Sequence, residues 1–559
     1  MKLELILILS LCFINFTSSK ERKRFNLREE IPEEPILRLS EIEYTNNNNV
    51  FELKSNYIIT QIGWTKRSEY KYNHLLGIFE GANDPSFSDA IPIAMIKEQG
   101  NLNEMNFIDV KIPNSYKYIR YIPPNTNKTD ISPIKLYGQL QSEINVNEKK
   151  SFQVTVLPLV SIHTENSANP ANKDQVLNCK VTIINNGKIE TNEEATIKIR
   201  GKSTSMASEK KPYTIKFTKQ QQILGLQGTY KKWTLIANYY DRALLRNALA
   251  FKISEIMQFE YTPRCLAVDV ILNGNYRGNY YLCDKVEVGK NRINIDKMEK
   301  SDINEPNLSG GYFLEIDGGT TFYGGTGYKT QRGIQWKINE PDEDEITSEQ
   351  ISYIQGKFNK LENEVYSGIF DSMDLDTYSK FFLIEEFCGD PDAVWSSFYL
   401  TKKRNDDKFY FGPVWDFDLG FDNDQRLTPT NDKPQFAFTY GASAGTMMDF
   451  TKTLIGYKTV IESIKKTWEK LINSGLSENI LIGYIDQEKT KIQESADLNY
   501  MKWDNFVQEK NPWGGGWDWG GFGRNTESFD VGVNRLKEYV RKRFSSLSNL
   551  INNAVSSAK

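Results

Sequence analysis

Histidine is almost absent from the 559 residues. Only His74 and His163 occur, and neither lies near another candidate group in sequence. That scarcity argues against Ser-His-Asp hydrolysis, Cys-His chemistry and a His-ligated zinc or iron centre. A basic excess is lacking too. Lys and Arg number 69 against 73 Asp and Glu, a net charge of -4. Nucleic acid is therefore not an expected partner, because neutralising phosphates needs a cationic surplus on one face. No Gly-x-x-x-x-Gly-Lys loop occurs, which excludes the commonest phosphate cradle. Cysteine is sparse. With Cys12 set aside, Cys179, Cys265, Cys283 and Cys388 remain, too few for a disulfide scaffold at this length. Cys265 and Cys283 fall in adjacent strand-like runs, where a pair or two free buried thiols are both open.

Long apolar runs are lacking after the first. Lys2, Leu5 to Leu9, Leu11 to Ile14 and the small polar residues behind them give the pattern of a secretory signal peptide over residues 1–19. It is too short for a membrane span. The last fifteen residues carry no hydrophobic tail of the lipid-anchor type. The expectation is a secreted or luminal chain with no transmembrane segment. Sequons at Asn127-Lys128-Thr129 and Asn307-Leu308-Ser309 fit that route.

What is present divides along the chain. Lys20 to Pro35 is charged and reads as disordered. Residues 36–141 show short apolar or alternating runs, at 57–59, 76–79, 108–112 and 118–122, separated by Asn, Gly, Ser and Pro. That is a β-sandwich pattern. A polar linker follows at 142–150, then a larger region at 151–548. Strands are expected at Phe152–Leu157 and Val181–Ile184, and a helix behind Asp241 as its cap. Two apolar runs flanking Asn273-Gly274-Asn275 read as a hairpin. Helical periodicity dominates later, at 351–366, 375–387, 458–474, 480–495 and 529–546. The fold class is multidomain: an all-β sandwich, then an α+β region with a strand-rich lobe before a helix-rich one.

Chemistry concentrates around Gly412-Pro413-Val414-Trp415-Asp416-Phe417-Asp418-Leu419-Gly420. Residues 398–400 and 408–411 read as hairpin arms with Arg404 to Asp407 as the turn. A hairpin brings its ends together, so Asp392 before it and Asp416 after it belong side by side. Protein kinases use this layout, with one Asp for the attacking hydroxyl and a second for magnesium. Trp415, Phe417, Leu419 and Phe421 surround Asp416 and Asp418, and desolvated carboxylates need a counter-ion. Ahead lies a basic strand, Lys210 to Phe217, preceded by Arg200-Gly201-Lys202-Ser203-Thr204. Lysines there can face phosphates or simply solvent. The aromatic, glycine-rich loop 512–523 either stacks on a ligand or packs its own tryptophans.

Two resemblances follow from these residues. Phe79 to Ala90, with Tyr118 to Tyr121 and Ile134 to Gly138, resembles discoidin-type (coagulation factor 5/8-like) sandwiches. That implies a glycan ligand or a spacer role. Arg200 to Thr204 with Lys211 to Phe217, Trp233 to Asn247, Asn273 to Tyr280, Gly310 to Glu315 and Pro413 to Asp418 resembles the spore-coat CotH kinase family. The match runs in the family's order from about Leu157 to Ser546. It implies a secreted, atypical Ser/Thr kinase using ATP and Mg2+, with Mn2+ as a substitute, on secreted or surface proteins. Its fold would be a diverged protein-kinase-like one. By motif position Asp416 holds the metal, Asp418 assists and Asp392 orients the hydroxyl. Asp390 is the alternative to Asp392, since on a strand the two would share a side. Lys216 or Lys202 meets phosphates, with Arg200 in the same block. Ser396 and Ser397 stand where many members have Asn, which weakens a second metal site. An inactive pseudokinase, acting as an adhesion protein, and a protein AMP transferase remain alternatives.

Overall fold

The computed structural model describes residues 40–67, 74–124, 131–143, 150–201, 203–318, 326–424, 436, 445–503 and 528–559. The expected signal peptide, the charged stretch 20–35, the sequon at Asn127, most of the linker, Lys202 and the loop 512–523 lie outside the described residues. Residues Glu41 to Lys559 form one compact unit.

Seven strands make the first sheet: β1 (Tyr44–Asn47), β2 (Val50–Lys66), β3 (Ile78–Ala82), β4 (Ile91–Met95), β5 (Met105–Asp109), β6 (Ser115–Ile122) and β7 (Ile131–Leu140). The long β2 pairs with β1 and β6 near its start and with β5 and β7 along its later half. The sheet thereby folds over its own core of Phe51, Ile62, Trp64, Phe79, Ile119 and Leu136.

The next seven strands are β8 (Leu159–Thr164), β9 (Leu177–Asn185), β10 (Lys188–Ile199), β11 (Tyr213–Gln221), β12 (Tyr230–Ile236), β13 (Cys265–Leu272) and β14 (Asn275–Asp284). They close into a barrel in the order β10-β11-β12-β14-β13-β8-β9. Closure comes from β8, which returns parallel to β13. The strand-rich lobe expected from sequence is thus a closed barrel, filled by Val160, Ile197, Ile215, Phe217, Trp233 and Leu282. The Asn273-Gly274 turn joins β13 to β14 as expected. Both residues take positive φ, 51° and 71°, as a tight two-residue hairpin requires. The expected strand at Phe152–Leu157 is absent. Thr155 instead gives its hydroxyl to buried Asp269 at 2.6 Å and accepts from Leu157 N, so the chain turns there rather than pairing.

A third sheet holds the acidic hairpin. Its strands are β15 (Tyr312–Asp317), β16 (Gly327–Lys329), β17 (Gln335–Glu340), β18 (Ser396–Lys402) and β19 (Phe409–Phe411), in the order β16-β17-β15-β18-β19. Helices α1 (Ser203–Ala207) and α2 (Arg246–Ile256) belong to the barrel half. Then come α3 (Ser348–Tyr366), α4 (Leu375–Cys388), α5 (Gly445–Ile455), α6 (Lys458–Asn473), α7 (Glu478–Trp503) and α8 (Phe529–Ser557). All five helices read from periodicity in the second half are present, and α7 and α8 run longer than expected. Thr347 and Gln350 cap α3 reciprocally. Cys265 and Cys283 face each other across β13 and β14 as free thiols.

The first sheet docks on the barrel through a buried seam. Leu76, Ile78 and Met95 meet Val154, Leu159, Ile184, Ile271, Tyr276 and Leu498. Glu80, fully buried on β3, lies 2.9 Å from His163 Nε2 on β8 and 2.6 Å from Arg120. Burial alone would raise the Glu80 pKa, but His163 and Arg120 outweigh it and hold it below the usual carboxylate range. Such a group stabilises the fold fully above about pH 4.5, and the contribution is lost as pH falls below its lowered folded value. Glu80→Ala should cost about 3 kcal/mol at pH 7. Urea unfolding should show that difference shrinking as pH falls below 4; a difference that stays constant to pH 3 would reject this account.

Candidate functional site

Three elements deliver the acidic residues. Helix α4 ends at Gly389 in the left-handed region, and residues 390–395 form a turn before β18. Asp390 and Asp392 are therefore not on a strand and do not share a face. Asp390 is buried, and its carboxylate accepts from Asp392 N at 3.1 Å, bracing the turn. Asp392 is half-buried. The hairpin follows as expected, with Leu400 opposite Phe411 and Lys402 opposite Phe409. The chain then enters 412–420, where Trp415, Phe417 and Leu419 are buried and Asp416 alone is exposed.

Asp416 has φ 73°, a conformation that costs a non-glycine residue energy and here turns its carboxylate outward. Asn247 holds this loop: its Oδ1 accepts from Phe417 N at 2.8 Å. Asn423 ties the other side, donating to Asp418 O at 2.7 Å and Tyr240 O at 2.8 Å. Asp241 does not sit at the helix cap position, yet its carboxylate accepts from Arg246 N at 2.8 Å and Ala243 N at 2.9 Å and pairs with the buried Arg246 guanidinium. It thereby fixes the start of α2, which carries Asn247.

Charge crowding marks the spot. Protein packs densely around Asp416 although its carboxylate opens to solvent. That packing raises its pKa, Arg200 opposes, and Asp392 and Glu315 raise it further. Asp418 is pushed well above the carboxylate range by burial, then by Asp416, Asp241, Asp390 and Asp392. Asp392 and Asp416 thus lie close enough to repel, as the hairpin layout requires. Arg200 packs over the Trp415 ring, 5.4 Å from its centroid.

Beside these residues, past Trp415 and Arg200, opens a cleft of about 610 Å³ between the barrel and the third sheet. Arg200, Lys216, Lys231, Lys232, Lys285, Lys297 and Lys337 line it, with Glu287, Glu315, Glu340 and Asp342. Lys216 is an exposed residue of β11, so its ammonium is free to reach a ligand. Glu315 accepts from Tyr399 at 3.1 Å and Asn339 at 2.9 Å and lies 3.4 Å from Lys337. Burial lowers the Lys285 pKa, Glu287 opposes, and Lys232 and Arg200 lower it further. Of the residues expected from sequence, Arg200 and Lys216 line this cleft. Asp416 lies beside it, next to cleft-lining Trp415 and interacting with Arg200 and Glu315, with Asp392 and Asp418 as its acidic neighbours. Lys285, Glu315, Lys337, Asn247 and Asn423 were not singled out for the site. Only membership of a matched block pointed to Asn247.

No group of three or more Asp, Glu, His or Cys side chains converges as a metal cage among the described residues. The donors present are carboxylate oxygens in pairs. They suit a hard divalent cation that keeps several waters, as magnesium does.

Residues 197–547 match the family model described as CotH kinase protein. That span exceeds half of the chain, and the chain belongs to this family. No curated protein matches it. Among solved structures, CBM62 from Clostridium thermocellum Xyl5A is similar at 30% identity, covering 16% of this chain and 68% of that one, with a TM-score of 0.15. No helix among the described residues is long and apolar enough to cross a membrane.

Asp418→Asn should leave cation-free stability equal or raise it by about 1 kcal/mol, since it removes a charge-bearing group from a crowded, buried position. Magnesium bound here would raise the melting temperature of the wild type, and Asp418→Asn should shrink that rise. Calorimetric melting with and without magnesium tests both; an unchanged magnesium response would remove Asp418 from the cation site.

Proposed function

We propose that the protein is an atypical protein kinase that transfers the ATP γ-phosphate to Ser or Thr hydroxyls of secreted or surface proteins. One observation carries this reading: Asp392 and Asp416 stand within repelling distance across a hairpin, beside a cationic cleft whose Arg200 and Glu315 both interact with Asp416. The leader-like segment at 1–19 and the sequons support a secretory setting. The discoidin-like pattern of the N-terminal sheet supports a glycan-docking role there. Two halves flanking a cleft, the strand-rich one a closed barrel, support a diverged kinase-like outline.

Each side chain has a task in this reading. Asp416 holds the metal, with Asp418 behind it. Arg200 and Lys216 fix the phosphates, and Lys337 is held at the cleft wall by Glu315. When bound, magnesium supplies charge that offsets the phosphate oxygens in a loose transition state. Asp392 orients the acceptor hydroxyl and takes its proton as the new O–P bond forms, while the β–γ bridging bond breaks and ADP leaves. Catalysis here is positioning plus electrostatics.

Incubation with ATP labelled separately at the γ- and α-phosphates tests the assignment. Asp416-dependent γ-label on the protein or an acceptor is expected. Asp416→Ala should abolish transfer and weaken magnesium-nucleotide binding, whereas Asp392→Ala should mainly lower turnover, by about 10²–10⁴-fold. Asp416-dependent α-label would make the protein an AMP transferase. No label and no ATP binding would make it a pseudokinase. Wild-type rates in both mutants would overturn the residue roles.

A further inference from the structure

Strand β17 breaks its own alternation at the cleft. Trp336 and Ile338 are buried, while Lys337 and Asn339 reach Glu315. Strict alternation would place Glu340 with Trp336 and Ile338. The ladder slips instead: Leu314 faces Ile338 and Phe313 faces Glu340, which leaves Asn339 as the extra residue. Such a bulge re-aims a side chain, and Glu340 stands in the cleft wall beside Asn339 and Phe313. It is only 7% exposed, and its Oε1 has no hydrogen-bond partner among the described residues. A buried acceptor left open is costly unless a ligand donor meets it.

Its place along the cleft limits which donor that is. Glu315 interacts with Asp416 and so marks the phosphate end. Glu340 lies opposite Phe313, two residues back along β15, about 7 Å away at the usual rise per residue. That is beyond the terminal phosphates but short of the far edge of a nucleobase. The charged groups around Glu340 are Asp342 in the following loop, Lys297 and Glu299 in the preceding segment, and Lys232 on β12. Two neighbouring acids match two vicinal hydroxyls, the same chemistry by which an acid reads a ribose in other nucleotide sites.

We propose that Glu340 is a specificity-determining residue that accepts hydrogen bonds from the ribose hydroxyls of the bound nucleotide. The inference rests on the nucleotide-cleft reading above. Burial, then Asp342, raises the Glu340 pKa to about 7, with Lys297 opposing. The ionised carboxylate is the stronger acceptor, so ribose-dependent affinity should rise as pH increases through 7.

The test is equilibrium calorimetry of magnesium with ADP, 2′-deoxy-ADP or 3′-deoxy-ADP on wild type, Glu340→Gln and Glu340→Ala. ADP avoids turnover. The wild type should bind ADP about tenfold more tightly than at least one deoxy form. Glu340→Ala should lose about tenfold on ADP and no longer distinguish the deoxy form. Glu340→Gln keeps the shape, and its ratio of ADP to deoxy-ADP affinity should not change with pH between 6 and 8, whereas the wild-type ratio rises; it carries the test should the alanine variant fail to fold. Discrimination retained in both variants, or absent from the wild type while ADP still binds, overturns the ribose contact and leaves the kinase reading standing. A loss in Glu340→Ala that follows the base, seen with IDP against ADP, also overturns it. Failure of the wild type to bind any nucleotide overturns both readings.

Discussion

Like charges held together beside the cleft are the constraint on which the rest of the second half depends. Burial first, then the acidic neighbours Asp241, Asp390, Asp392, Glu315 and Glu386, raise the pKa values of Asp416, Asp418 and Glu385. Left alone, such a cluster would open to water. Three arginines from different elements oppose it. Arg246 on α2 pairs with Asp241, Arg543 on α8 reaches Glu386 at 3.0 Å, and Arg200 after β10 faces Asp416. Arg543 also donates to Glu386 O, and Tyr539 on the same helix donates to Phe387 O at 2.8 Å. The last helix is thereby fastened to the end of α4, whose next residues are the acidic turn.

Removing one partner of a fully buried ion pair is far costlier than the pair is worth. Arg246, Asp241, Arg543 and Glu386 are all 1% exposed or less. None of the four lines the cleft. Their effect on the site is indirect: they fix where α2 and α4 begin and end, and so where Asn247 and Asp390 stand.

Local features of the fold were legible in the sequence because local physics sets them. Asn-Gly forces the β13–β14 turn, and apolar spacing at 3.6 residues marks α3, α4, α6, α7 and α8. The acidic hairpin was legible for the same reason, and with it the approach of Asp392 to Asp416. What could not be read depends on distant partners. Barrel closure needs β8 to meet β13 about a hundred residues later, and no periodicity records that. Asn247 serves a backbone N–H 170 residues away. An asparagine on a helix carries no mark of such a partner. Asp390 was read as sharing a strand face with Asp392, but the left-handed Gly389 ends α4 in a turn instead. Glu340 escaped notice because β17 reads as ordinary alternation until the bulge reverses its last position.

The seam between the first sheet and the barrel also sets how the N-terminal region can work. Gly274, at φ 71°, packs against Ile122 and Glu80 so closely that a Cβ there would displace the end of the Ile122 side chain. Lys97 reaches Glu494 on α7 at 2.6 Å, and Lys502 reaches Pro124 O at 2.9 Å. A module on a flexible tether lets its catalytic partner sweep a volume around the anchoring point. This one is bolted to the barrel by a dry contact and a buried acid. Anything gripped by the sandwich would be presented to the cleft at one bearing and one distance. Reach, more than local sequence, would then decide which of its groups meet the cleft.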